Sequence, residues 1–247
     1  MIALSVQRSP SGQMTTCLSC EARSLSVCGV VGNADLARLA GLATVMEVES
    51  GSIFIEEGEP ASQFFNVTAG VIKLYKLLPD GRRQITDFAH PGDFLGLAAG
   101  KYHGFSAEAL GPSRVCKFSR RKLSEMFDDF PAMERRLLAT ASIELQAARE
   151  QMLLLGRKTA RERVASFLRA ETMRKPACQR ELRMSLAMTR GDIGDYLGLT
   201  IETVSRTMTA LRKAGVIEIP CPSDIRVCDI GALCSIADGI VANLTPR

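Results

Sequence analysis

The stretch from Thr189 to Gly215, TRGDIGDYLGLTIETVSRTMTALRKAG, constrains the chain more tightly than any other. Ile193 and Leu197 stand at i, i+4, the spacing of a buried face, and predict a helix over roughly Arg190 to Leu197. Gly198 follows where a helix ends in a residue free to take positive φ. Thr200 can then cap a second helix with its hydroxyl. At 100° per residue, Ile201, Val204, Met208 and Leu211 fall within about 80° of one another, a stripe expected to pack down. Glu202, Ser205, Arg206, Thr209 and Lys213 fall within about 100° on a different face. That presented face suits a major groove: an arginine can engage both guanine acceptors, a glutamate can accept from the cytosine amino group, and a serine suits several bases. The same pattern also describes an ordinary amphipathic hairpin with a solvated polar face. The tight turn, the close-set Glu-Ser-Arg and the basic surroundings favour the groove.

Charge supports this placement. Net charge is only +4, but Lys158 to Pro220 carries 12 Lys and Arg against 7 Asp and Glu, whereas the rest carries 19 against 20. The basic field surrounds the helical hairpin, where phosphates would lie. Arg190, Arg212 and Lys213 are expected to contact phosphates, which positions a protein without specifying sequence. With 247 residues, 23% of them charged and 46% hydrophobic, the chain can hold two modest globular domains. No run of about 18 apolar residues predicts a membrane span, and the first residues lack the basic start and apolar stretch of a signal peptide, so a cytoplasmic protein is expected. No G-x-S-x-G, P-loop or paired-acid motif points to an enzyme.

Eight cysteines in a reducing compartment read as free, catalytic or metal-binding rather than as a disulfide framework. CLSCEARSLSVC places Cys17, Cys20 and Cys28 in a C-x2-C-x7-C arrangement. Taken alone, this fits a zinc site, a larger cluster or bystander thiols. A cubane cluster needs a fourth ligand, for which Cys116 in RVCKFS, an alternating segment read as a strand edge, is the candidate. Cys178, Cys221, Cys228 and Cys234 read as structural or incidental.

Between these features, Asn33 to Leu42 predicts a short capped helix. From Val45 onward, glycine-bearing turns every 8–12 residues predict a β-sandwich or roll, including a hairpin closed by Pro79-Asp80-Gly81. His90 and His103 are expected in surface or loop positions. No Gly or Pro interrupts the chain between Pro131 and Gly156, which predicts a long helix. Met133, Leu137, Ala141, Leu145, Ala148, Met152 and Leu155 lie near heptad spacing along it; one flank is expected to pack on the β domain of its own chain, and a seam this long better suits a parallel dimer than that packing alone. The expected fold class is therefore α+β. Its segments are a cysteine-rich 1–30, a β-roll over 31–125, a dimerisation helix over 126–156, a winged helix-turn-helix over 157–230 and a tail over 231–247.

Met188 to Arg206 resembles the helix-turn-helix of the CRP/FNR superfamily, and the E-x-x-S-R of its FNR-type branch is met by Glu202, Ser205 and Arg206. The resemblance implies a homodimer that reads TTGAT-type palindromes in double-stranded DNA and contacts RNA polymerase, with Thr200, Thr209, Arg190 and Lys213 also at the DNA. It implies a [4Fe–4S] cluster on Cys17, Cys20, Cys28 and Cys116, and oxygen-responsive control of anaerobic or microaerobic genes. Nucleotide-binding members carry Gly-Glu and Arg-Ser where this chain has Gly96-Leu97 and Phe105-Ser106. Without that arginine a cyclic phosphate would be buried unpaired, so no cyclic nucleotide is expected. The alternatives are a family member governed by zinc, thiol redox or another ligand, and a cyclic-nucleotide-binding regulator.

Overall fold

The computed structural model describes residues 17–96, 100–174 and 182–240, without the side chains of residues 123 and 124. The expectations for Cys178 and Leu97 lie outside the described residues. Two compact units divide the chain, Met1–Glu144 and Leu145–Arg247.

Among the described residues the first unit has eight strands, all paired antiparallel: β1 (Ala43–Val48), β2 (Ile53–Ile55), β3 (Gln63–Ala69), β4 (Ile72–Leu77), β5 (Arg83–Ala89), β6 (Phe94–Leu95), β7 (Ser106–Ala109) and β8 (Ser113–Ser119). They form two four-stranded sheets, β1-β8-β3-β6 and β2-β7-β4-β5. Strand side chains alternate between faces. Phe65, Val67, Leu95 and Val115 therefore enter a core shared with Ile55, Ile72, Ala89 and Ala107 of the second sheet. Their neighbours Phe64, Phe94 and Phe118 enter a separate cluster with Leu36 and Leu39 of α1 (Leu36–Leu42), Met126 of α2 (Arg120–Asp129), and Val27 and Val31. The expected helix over Asn33 to Leu42 forms, its first three residues as a 3-10 turn.

Cys116 lies on this second, helix-covered face, in register between Val45 of β1 and Asn66 of β3. Its strand is interior rather than at the sheet edge, because β8 is flanked on both sides by β1 and β3. His103 also departs from expectation. It is 6% exposed, because its backbone bonds to the Gly58-Glu59 turn and draw the loop inward.

The long helix α3 runs Pro131–Arg157. Met133 and Leu137, both expected in the dimer seam, instead belong to the same cluster as Val27 and Leu39. The first turns of α3 bury their apolar side in their own unit. The exposed apolar line begins one residue later, at Leu138 (70% exposed), and continues through Leu145 (54%) and Met152 (66%). These three are a strict heptad apart. Ala141, Ala148 and Leu155 fill the alternate positions, each at least partly exposed.

In the second unit, α4 (Ala160–Met173) is followed by β9 (Arg183–Ser185), α5 (Arg190–Leu197), α6 (Ile201–Lys213), a hairpin of β10 (Ile217–Cys221) and β11 (Asp224–Val227), and α7 (Ile230–Ala237). The sheet order is β10-β11-β9. The stretch Asp229 to Val241 reads as a last short helix opening the C-terminal segment, and residues 230–237 form it, capped by Asp229 and packed on α4, with Leu233, Ile236 and Ala237 buried.

Candidate DNA interface and cysteine cavity

The helical hairpin is held by local chemistry. Thr189 and Asp192 form a capping box at the start of α5, and Thr200 accepts from the Thr203 backbone N–H at the start of α6. Gly198 ends α5 at φ 62°, ψ 42°, the left-handed conformation that favours glycine. Gly194 is needed for another reason. A Cβ there would lie 2.7 Å from the Leu199 carbonyl oxygen, so the turn closes only against a bare backbone. Arg163 of α4 ties the hairpin down. It donates to the carbonyls of Lys158 (2.9 Å), Leu197 (2.9 Å) and Leu155 (2.8 Å), two of which end α3 and α5.

Val204, Met208 and Leu211 of α6 are buried, whereas Ile201 is 51% exposed. Ile201 shares their side of the helix but occupies its first turn, a full turn ahead of the packed residues. Glu202, Ser205, Arg206 and Lys213 are exposed, Thr209 is half-buried, and Thr200 sits at the cap. Arg206 donates only a 3.4 Å bond, to Thr203 Oγ1. Its own backbone N–H, the Thr200 hydroxyl and nearby Arg206 hold the Glu202 carboxyl below the usual carboxylate range, so it remains an acceptor. Arg190 is more committed than expected. It is half-buried, bonded to Met208 Sδ and to the Pro222 carbonyl at the wing tip (3.1 Å), and burial lowers its pKa.

The second site is a cavity of about 290 Å³ in the first unit, whose lining includes Cys17, Cys20, Cys28 and Cys116. The N-terminal cysteines reach it through a compact turn. Ser26 accepts from the Cys28 N–H, and Arg23 donates to the Val31 carbonyl (2.6 Å) and Asn33 Oδ1 (2.9 Å). A Cβ on Gly29 would meet the Arg23 carbonyl oxygen at 2.9 Å, so the turn beside Cys28 requires glycine. Burial pushes the Cys28 thiol up to about 11 and the Cys116 thiol up to about 12, the neighbouring cysteines adding to both; Cys17 is raised for the same reasons. Arg23 and Arg114 line the same cavity and act in the opposite direction, Arg23 on Cys17 and Cys28 and Arg114 on Cys116. Among the described residues, no three Cys, His, Asp or Glu side chains are placed to hold a single metal ion.

Two residues of this site escaped the sequence reading. Arg23 carries no signal beyond its place between Cys20 and Cys28. Asn66 is the one polar residue between Phe64 and Val67 in the strand QFFNVTA, a clue whose meaning depends on sheet register. It is 2% exposed, lines the cavity and leaves its Oδ1 without a hydrogen-bond partner, which costs about 1–3 kcal/mol in an otherwise satisfied interior.

A winged helix-turn-helix with an open polar face, joined in one chain to a β-roll, defines a DNA-binding regulator. Comparison with known proteins agrees. Residues 45–130 match the cyclic nucleotide-binding domain and residues 162–236 the Crp-like helix-turn-helix domain. The chain is 43% identical over 211 residues to the nitrogen fixation regulation protein FixK of Bradyrhizobium diazoefficiens, covering 85% of this chain and 88% of the relative. It is 36% identical over 222 residues to the transcriptional activator protein FnrL of Cereibacter sphaeroides, covering 88% and 90%. The solved structure of FixK2 from Bradyrhizobium japonicum superimposes with a TM-score of 0.73 at 39% identity, covering 78% of this chain and 96% of that one. The protein belongs to the CRP/FNR family of transcription regulators.

Proposed function

We propose that the protein is an oxygen-responsive regulator. It binds TTGAT-type palindromes as a homodimer while Cys17, Cys20, Cys28 and Cys116 hold a [4Fe–4S] cluster, and it controls anaerobic or microaerobic genes from the cytoplasm together with RNA polymerase. The observation that carries the reading is that four cysteines, three near the N-terminus and one on an interior strand, line one cavity. The donor set fits. Four soft sulfur ligands surround a space wider than one ion needs, and Arg23 and Arg114 offset the charge of the thiolates. When bound, such a cluster supplies an oxygen-labile centre that ties the two cysteine segments together.

The protein's own packing gives that tie a route to the seam. Val27 and Val31, beside the cysteine turn, share a core cluster with Met133 and Leu137 of α3. Ordering the cysteine segment therefore bears on the turns that precede Leu138, Leu145 and Met152. Two recognition helices set one DNA turn apart by that seam would read a palindrome, with Arg206 on guanine. The absence of a bound cyclic nucleotide from this scheme is supported by Phe105, which packs against the β-roll core where an arginine would be needed.

Anaerobically prepared Cys116→Ala tests the assignment. It should keep the wild-type circular dichroism spectrum, hold far fewer than about four irons per chain, and bind the palindrome at least about tenfold more weakly. Full iron and tight anaerobic binding by the variant would overturn the four-cysteine site.

A further inference from the structure

We propose that Asn66 is a positioning residue of the cysteine cavity, its carboxamide donating an N–H to the sulfur of Cys116 or to an adjoining cluster sulfide; this rests on the reading of the four cysteines given above. Asn66 is directly opposite Cys116 across the β3–β8 pair, so the two side chains stand on one face of the sheet as nearest neighbours. Both line the cavity.

The paired strand neighbours do not hold the amide. Across the sheet, Asn66 is flanked by Phe94 on its other side, which offers no polar group. Thr68, two residues along the same face, already donates its hydroxyl to the Arg114 carbonyl. Asn66 is 2% exposed and its Oδ1 position is buried without a hydrogen-bond partner, and a half-turn of the terminal bond would put an N–H there instead. Buried carboxamides are rarely left unsatisfied, and one aimed into a cavity points to an occupant of that cavity.

Thiolates and sulfides only accept hydrogen bonds, and a carboxamide brings two N–H donors that a half-turn of its terminal bond can direct to either side. Donors to cluster sulfurs raise the reduction potential and steady the ligand that receives them. Asn66 would thus set how readily the bound group is lost to oxygen, while the four cysteines set whether it binds.

The test uses full-length wild type, Asn66→Leu and Asn66→Ala, each loaded anaerobically with iron and sulfide. Iron per chain, midpoint potential, decay of the visible absorbance in air, and melting of the metal-free form are measured. The inference expects both variants to load, to show a lower potential and to lose absorbance about tenfold faster. It also expects metal-free Asn66→Leu to melt no lower than metal-free wild type, since no protein partner is lost. Failure of both variants to load, with unchanged metal-free melting, would overturn it, because Asn66 would then decide whether the group binds rather than tune a group the cysteines hold. Wild-type potential and decay in both variants would overturn it, as would a lower melting temperature of metal-free Asn66→Leu. Wild type that takes up no iron would overturn the cluster reading as well, whereas iron-loaded wild type with indifferent variants would overturn this inference alone.

Discussion

Replacing Arg163 with alanine should unfasten the DNA-binding unit while leaving the β-roll alone. The guanidinium makes three bonds of 2.8–2.9 Å to the carbonyls of Leu155, Lys158 and Leu197, at helix ends whose carbonyls have no intrahelical partners. The site is part-buried, so water can reach the freed oxygens, and each bond is worth about 1–1.5 kcal/mol net rather than the larger figure for a sealed one. Together they contribute about 3–4 kcal/mol. In a unit of this size that lowers the melting temperature by roughly 15 °C. Calorimetry of the full chain is the appropriate assay, because two units need not unfold in one step and the β-roll transition serves as an internal reference. Arg163→Lys keeps the charge but can make only one of the three bonds well, so it should retain about a third of the stabilisation and show about two-thirds of the fall in melting temperature. Arg163→Ala that unfolds within about 1 kcal/mol of wild type would refute the reasoning, because the three contacts would then be incidental.

Arg206→Ala should cost about 1–3 kcal/mol in DNA affinity, about 10–100-fold, and relax preference at the guanine, whereas Lys213→Ala should weaken all sequences alike and reduce the salt slope by about 1; titrations at several salt concentrations separate the two. Leu145→Glu puts a charge in the middle of the exposed heptad line and should yield monomers by sedimentation, with palindrome affinity reduced at least about 100-fold. His103 supplies a pH dependence. Burial, with Arg120 adding to it and Glu59 opposing, lowers its pKa in the folded state, so the unfolded chain takes up the proton first as pH falls below about 6.5. Stability of the β-roll should therefore be full above that pH and decline below it, and His103→Leu should flatten that part of the curve in denaturant titrations.

The hairpin was the most legible part of the sequence because its signals are local. A capping Thr200, a glycine free to adopt φ 62° and an amphipathic period of 3.6 all act within a few residues, and each is met in α5 and α6; the Thr189–Asp192 capping box adds a cap absent from the sequence reading. Gly194 carries no such local signal, since nothing in its neighbourhood reveals that the Leu199 carbonyl comes within 2.7 Å of its missing Cβ. The spacing alone starts the exposed line one residue early, at Leu137 rather than Leu138. Leu137 and Leu138 are both apolar, and only the packing of α3 on Phe118 and Leu39 decides which is consumed by the core. Cys116 could be picked out by residue type but not by position, because alternation cannot tell an interior strand from an edge. Asn66 could not be found at all without the β3–β8 register that sets it beside Cys116.

The central claim is that this DNA-binding face is governed by what the four cysteines hold. Its most direct test is binding of the purified full-length protein to a palindrome of TTGAT and ATCAA half-sites, before and after exposure to air, with iron and sulfide assayed on the same sample. The account predicts tight anaerobic binding with about four irons per chain, and loss of both together in air. Equal binding in the two conditions, with zinc or no metal bound, would contradict it.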